Sequence, residues 1–281
     1  MTSVARLLFF TLLLSSFVAC SNLSDSYSFQ GEAYGTTWQI KFFDDQDLLD
    51  KDELEEKVKE ELTRIDSIFS LYDEDSTISK INKNKILSWN NLPGYEDFKE
   101  LSKISNEVVN NSSGSYEVFL NGKWDFNSIA KGYAVDRLCD ILESYNIKNY
   151  MIEIGGEIRF SGKKPDAFWK FAIIDPSLEN KIFEEFSTSI ALSIATSGNY
   201  RNPGHIVDPI LNISVNSNLL SVSVIDETST AKADAWATAL FANEKDWFDL
   251  ASDKKVAAFF IFEEEGKINS SASEKWIELL K

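Results

Sequence analysis

The sequence predicts an α+β fold, and three observations predict it. Strand-like and helix-like segments alternate along the chain, but without the strict strand–helix–strand spacing of a doubly wound sheet. The 281 residues are 43% hydrophobic, enough for one large core. No internal repeat or low-complexity tract interrupts them.

The elements follow in order. Arg6 precedes the mostly apolar run Leu7 to Ala19, which ends at Cys20. Such a run is too short to cross a bilayer as a helix and suits a secretory leader. Residues 1–19 are therefore expected to be a signal peptide, and 20–26 a short tether. Residues 27–281 then form the folded domain. Strands are predicted at Tyr27 to Ala33 and Trp38 to Phe43, joined by the turn Tyr34-Gly35-Thr36-Thr37. Asp50 to Ile68 reads as an amphipathic helix, with Leu54, Val58, Leu62, Ile65 and Phe69 on one stripe. A second helix spans Tyr95 to Val109 and stops at the breaker cluster Asn110 to Gly114. A third runs from Ile129 to Tyr145. Strands at Asn149 to Glu153 and Ile158 to Gly162 flank Gly155-Gly156. Trp169 to Ile174, Ile190 to Thr196 and Leu219 to Ile225 are further strands. Ala231 to Asn243 is a helix of small residues, Val256 to Phe262 an apolar strand, and a short helical piece surrounds Trp276.

Charge narrows the function. A net charge of −17 argues against nucleic acid, whose phosphates call for clustered Lys and Arg. It suits a soluble surface and a bound divalent cation. Cys139 is the one cysteine left after Cys20, so no internal disulfide can form in the domain. Its apolar helical neighbours predict a buried, inert thiol.

Four stretches carry candidate chemistry. His205 is the chain's sole histidine and the one side chain whose ordinary pKa lies near neutrality. It follows the polar turn Thr196 to Arg201 and opens His205-Ile206-Val207-Asp208-Pro209; a surface loop with an idle histidine fits the same residues. Asp234 and Thr238 stand four apart, on one helix face, and offer hard oxygen donors suited to Mg²⁺. A surface-facing Asp and a Thr bonding back to its own turn fit equally. Asp125 to Asp136 places polar groups at a helix start, where free N–H groups favour phosphate and Lys131 adds charge. Plain capping by Asn127 or Ser128 is the simpler use. Ile154-Gly155-Gly156-Glu157 is either a plain turn or a place where backbone meets a flat ligand. No Walker loop, dinucleotide fingerprint, zinc cluster or nucleophile elbow is present.

Taken in order, these pieces resemble the ApbE family, the FAD:protein FMN transferases. The matching blocks are Gly35-Thr36-Thr37-Trp38, Asp66 to Tyr72 with Ser76, Ser79 and Asn82, and Asp125 to Asp136. Ile154 to Glu157, Thr196 to Pro209, and Ala233-Asp234 with Thr238 to Phe241 complete them. The resemblance implies sheets with packed helices in a T-fold-like, single catalytic unit. It implies Mg²⁺-dependent cleavage of FAD, transfer of FMN to a Thr or Ser hydroxyl of a target flavoprotein, and release of AMP. Hydrolysis of FAD to FMN and AMP, or FAD binding without turnover, are the alternatives. By motif position, Ser128 (through its carbonyl), Asp234 and Thr238 would hold the metal. Tyr34, Tyr72, Ser115, Tyr116, Glu117, Asp125, Lys131 and Ile206 would contact FAD, and His205 would act at the reacting phosphate. Phe17-Val18-Ala19-Cys20 resembles a lipoprotein box, implying acylation of Cys20 and a membrane-anchored domain in the bacterial periplasm. The chain departs from the family where Tyr34 replaces Met and where Tyr116 to Phe119 replace Phe-Asp-Pro-Thr. It departs again where only Leu120 to Trp124 precede Asp125, and where Ile210-Leu211 replace Thr-Gly.

Overall fold

The computed structural model describes residues 25–44, 49–84, 89–90, 92–165, 167–178, 181–200, 203–244 and 246–280. Cys20, the leader and Arg201 lie outside them.

The chain order is β1 (Asp25–Ala33), β2 (Thr36–Asp44), α1 (Lys51–Phe69), α2 (Thr77–Asn82), α3 (Tyr95–Asn111), β3 (Phe119–Leu120) and β4 (Lys123–Trp124). Next come α4 (Ala130–Ser144), β5 (Asn149–Ile154), β6 (Glu157–Ser161), β7 (Trp169–Ile174), β8 (Ile182–Thr188) and β9 (Leu192–Gly198). The remainder is β10 (Val207–Asp208), β11 (Ile213–Ser214), β12 (Leu219–Asp226), α5 (Thr230–Ala242), α6 (Trp247–Asp253), β13 (Ala257–Glu264), β14 (Lys267–Ala272) and α7 (Glu274–Leu279). The expected α+β class holds.

Eight strands form one sheet in the order β1-β2-β5-β6-β9-β12-β13-β14, antiparallel at every join. Both faces of the sheet are covered. Along β2, Ile40 and Phe42 enter the larger core with α1, α4 and α5, while Phe43 enters a second core under β7, β8 and α7. The central strands β9, β12 and β13 are therefore largely buried on both faces; β13 reads as an apolar run, while β9 and β12 interleave buried serines with apolar residues.

Local chemistry sets the boundaries. Asp50 caps α1, its carboxylate accepting the Glu53 N–H at 3.0 Å, and the predicted stripe is buried. The β1–β2 hairpin closes with Tyr34 and Gly35 both left-handed (φ 53° and 71°), a twist that matches the strands. β1 starts two residues inside the expected tether, because Asp25 and Ser26 extend the ladder opposite Asp44 and Phe43. The elements that sequence periodicity passes over are short or polar: α2, α6, the two-residue strands, the mostly exposed β8 and the polar edge strand β14.

Helix α5 sits in the middle of the larger core. Eleven of its 13 residues are buried, Asp234 among them. The surface-facing Asp234 expected from sequence is thus corrected: small residues all round the helix let β9, β12, α3 and α4 close on it. Gly132 of α4 lies directly against the first residues of α5. A Cβ there would lie 2.5 Å from the Thr230 carbonyl oxygen.

Candidate active site

Every residue the sequence assigns to the site lines one cavity of about 1200 Å³. Tyr34 comes from the β1–β2 turn and Tyr72 from the loop after α1. Ser115, Tyr116 and Glu117 follow α3. Asp125, Ser128 and Lys131 lie at the entry to α4, and His205 and Ile206 at the entry to β10. Asp234 and Thr238 come from α5. Six separate segments of the chain converge there.

Its floor is a charged group of three. Asp234 is 5% exposed and Glu157 1%. Both Glu157 carboxylate oxygens accept from the Lys131 ammonium at 2.8 Å. Asp234 Oδ2 accepts the Gly132 N–H at 3.1 Å. Burial, and then repulsion from Glu157, push the Asp234 carboxyl well above the usual carboxylate range, against the pull of Lys131 and of that N–H. The Lys131 charge, expected for phosphate alone, is shared with Glu157.

The start of α4 is arranged differently from the simpler expectation. Its N-cap is Ile129, which supplies no side-chain bond, and neither Asn127 nor Ser128 caps. Asn127 is exposed and donates its backbone N–H to Asp125. The Ser128 hydroxyl donates to the Tyr116 phenol oxygen at 3.1 Å. One of the N–H groups at the helix start, that of Gly132, is taken by the protein's own Asp234. The converse holds at α5: Asp136 of α4 accepts from the Thr230 and Ala231 N–H groups (2.7 and 3.0 Å) and the Ser229 hydroxyl (2.8 Å). Each helix caps the other.

The remaining side chains have defined places. The Thr238 hydroxyl meets Ser197 Oγ of β9 at 3.2 Å, rather than its own helical turn. Tyr34 donates to the Leu62 carbonyl at 2.9 Å, and burial with nearby Asp66 raises its phenol. Ser115 donates to the Ser112 carbonyl, and Glu117 accepts the Val118 and Phe119 N–H groups. Burial raises the Asp125 carboxyl against the Asn127 N–H and raises the Tyr116 phenol. Ile206 is buried, with its carbonyl accepting the Val215 N–H. Tyr72 is 89% exposed at the mouth, and His205 is exposed too. Cys139 is buried, as expected, and burial pushes its thiol up to about 12.

Glu157 as the Lys131 partner and the β7 wall from Phe171 to Ile174 were not legible as site residues, nor was Asp136 legible as the cap of α5. Glu157 and Asp136 both stand in quoted motif blocks, but 26 residues separate Glu157 from Lys131, so no local spacing pairs them.

Among the described residues no group of three or more His, Cys, Asp or Glu gathers as a metal cluster. The donors present are hard oxygens: the Asp234 carboxylate and the Thr238 hydroxyl, with Ser128 lining the same cavity. Two buried carboxylates share one ammonium, an excess negative charge that a divalent cation would neutralise. The residues fit such an ion.

The sequence matches the ApbE family model over residues 34–124 and 120–260. It is similar to the FAD:protein FMN transferase of Vibrio cholerae, 26% identical over 276 residues, covering 79% of this chain and 82% of the relative. It is similar also to the FAD:protein FMN transferase of Haemophilus influenzae, 25% identical, covering 92% and 93%. The solved flavin transferase ApbE of Vibrio cholerae superposes with a TM-score of 0.79 at 24% identity, across 92% of this chain and all of that one. With six sequence blocks folded onto one cavity and the family model spanning both halves of the domain, the chain belongs to the ApbE family.

Proposed function

We propose that this protein cleaves FAD and transfers its FMN half to a Thr or Ser hydroxyl of a target protein, releasing AMP, with Mg²⁺ held by Asp234, Thr238 and the Ser128 carbonyl. Relatives named for this transfer align along most of the chain. The observation that carries the proposal is Asp234. A buried carboxylate facing a second buried carboxylate, at the floor of a cavity of about 1200 Å³, is costly unless a cation completes it. That volume exceeds a typical small-ligand pocket and accommodates a dinucleotide.

The roles divide by position. Bound there, Mg²⁺ supplies charge neutralisation for the pyrophosphate. Lys131, held by Glu157, gives that floor a fixed positive charge. Tyr34, Tyr116 and Ile206 present ring and aliphatic surface for the flavin and exclude water from it. Ser115, Glu117 and Asp125 shape the polar wall. Exposed His205 stands where an incoming hydroxyl arrives and, when neutral, accepts its proton. Acylation at Cys20 and a periplasmic, lipid-anchored location belong to the same proposal, supported by the leader-like run and the Phe17 to Cys20 match. Among the described residues no helix is long and apolar enough to cross a membrane.

Incubation with FAD and Mg²⁺ tests this reading. AMP should appear, and a chelator should abolish it. FAD left intact under saturating Mg²⁺ refutes the enzyme. Equal AMP with and without chelator refutes the metal.

A further inference from the structure

Tyr116 follows α3 and is 2% exposed. Its ring suffices for the flavin; its hydroxyl is engaged elsewhere. Three hydroxyls run in line from the entry of α4 into α3. Ser128 donates to the Tyr116 phenol oxygen at 3.1 Å. The phenol is hydrogen-bonded in turn with Ser105, which is 1% exposed. The Ser105 hydroxyl donates to the Leu101 carbonyl at 2.7 Å, so its oxygen accepts from Tyr116. Where this chain has Tyr116 the family has Phe, so the hydroxyl is a property of this chain. The Ser128 carbonyl, meanwhile, is released from the helix ladder. In a regular turn the Gly132 N–H would return to it. Here that N–H goes to Asp234 at 3.1 Å, while the next one, of Tyr133, returns to Ile129 at 2.9 Å.

We propose that Tyr116 is a positioning residue for the cation: through the Ser128 hydroxyl it holds the Ser128 carbonyl in place as a ligand. The inference rests on Mg²⁺ being held by Asp234, Thr238 and Ser128. Mg²⁺ demands near-ideal octahedral geometry at about 2.0–2.1 Å, so a donor free to swing binds it poorly. The other two ligands are tethered. Asp234 is fixed by the Gly132 N–H, and the Thr238 hydroxyl by Ser197 Oγ at 3.2 Å. Ser128 has yielded its ladder bond to Asp234, and its side chain is the handle that remains. Tyr116 takes that handle. The phenol cannot drift, because its ring is buried and its hydroxyl is anchored to α3 through Ser105. Groups that orient metal ligands are worth about tenfold to a hundredfold in metal affinity.

The test uses the full chain without FAD and reads Mg²⁺ binding as the rise in Tm during a Mg²⁺ titration that starts from chelator-treated protein. Tyr116→Phe keeps the ring and removes only the hydroxyl. Ser128→Ala keeps the carbonyl and removes the other end of the bond. Each should raise the half-saturating Mg²⁺ concentration by on the order of tenfold. The double variant should raise it no further than either single one, because both break the same link. An unchanged half-saturating concentration in Tyr116→Phe overturns the proposal. So does a lower metal-free Tm with Mg²⁺ binding intact, which would make the hydroxyl structural only. Effects that multiply in the double variant overturn it too, since Tyr116 would then not act through Ser128. Should one single variant fail to fold, the other against the wild type decides. A wild-type Tm indifferent to Mg²⁺ brings down the metal assignment and this proposal together; a wild type that responds, matched by its variants, brings down the positioning role alone.

Discussion

Gly132→Ala is a small change whose sign separates two accounts of the site. Gly132 is the third residue of α4, a position where alanine alone would stabilise a helix by about 1 kcal/mol. The structure predicts the reverse. An added Cβ would lie 2.5 Å from the Thr230 carbonyl oxygen, 2.7 Å from its carbon and 2.8 Å from the Ala231 Cα. All three are backbone atoms and cannot swing aside. Reaching an ordinary contact of about 3.5 Å moves α4 and α5 apart by roughly 1 Å. Overpacking of this kind costs about 1–3 kcal/mol. The same movement stretches the 3.1 Å bond from the Gly132 N–H to Asp234 past its useful range. Losing a hydrogen bond to a buried carboxylate costs about 1.5–3 kcal/mol. After the helix gain, the net destabilisation is about 1.5–5 kcal/mol. Urea unfolding followed by circular dichroism measures it, with FAD affinity read on the same samples. A variant as stable as the wild type, or more stable, would show that the two helices do not meet this closely.

Three further outcomes are expected. His205→Ala should lose roughly 10²–10⁴ in kcat with FAD affinity little changed; turnover at the wild-type rate removes the histidine from the reaction. Burial raises the Asp97 carboxyl, but the Arg64 guanidinium at 2.7 and 2.8 Å and the Tyr133 hydroxyl at 2.9 Å outweigh it and hold it below its ordinary 3.8. Its contribution is therefore present above that value and lost as pH falls through the lower folded value, so Asp97→Asn should flatten the acid limb of a stability curve below about pH 4; an unchanged limb contradicts the pairing. Asp234 has the opposite sign. Its raised carboxyl makes the metal-free fold lose stability as pH climbs above 3.8, and Mg²⁺ should restore it, raising Tm more at pH 8 than at pH 5; equal Tm shifts at the two values would argue against Asp234 as a ligand.

Much of the fold was legible because its signals are local. The α1 stripe, the breaker after α3 and the β5–β6 glycine turn each lie within one short window, and each was placed to within a few residues. The resemblance likewise named a dozen side chains that line one cavity. What was not legible is what distant segments do to one another. Asp234 read as a helix-surface acid because α5 carries a Lys, an Asp and two Thr among alanines. Only the tertiary structure shows that α3, α4, β9 and β12 close around it. Polar β14 failed the strand pattern because, as an edge strand, it needs no apolar alternation.

The exchange of caps joins the fold to the site. Asp136 holds the start of α5 and Asp234 holds the start of α4, so the approach of the two helices and the position of a metal-ligand candidate are one geometric fact. It follows that Asp234 has two tasks. Loss of activity in Asp234→Ala alone therefore does not distinguish a missing ligand from a displaced helix. Asp136 separates them, because its carboxylate caps α5 without being among the residues that line the cavity. A site built this way tolerates neither helix moving. That explains why a glycine stands where α4 meets the start of α5, and why alanines flank the carboxylate along α5.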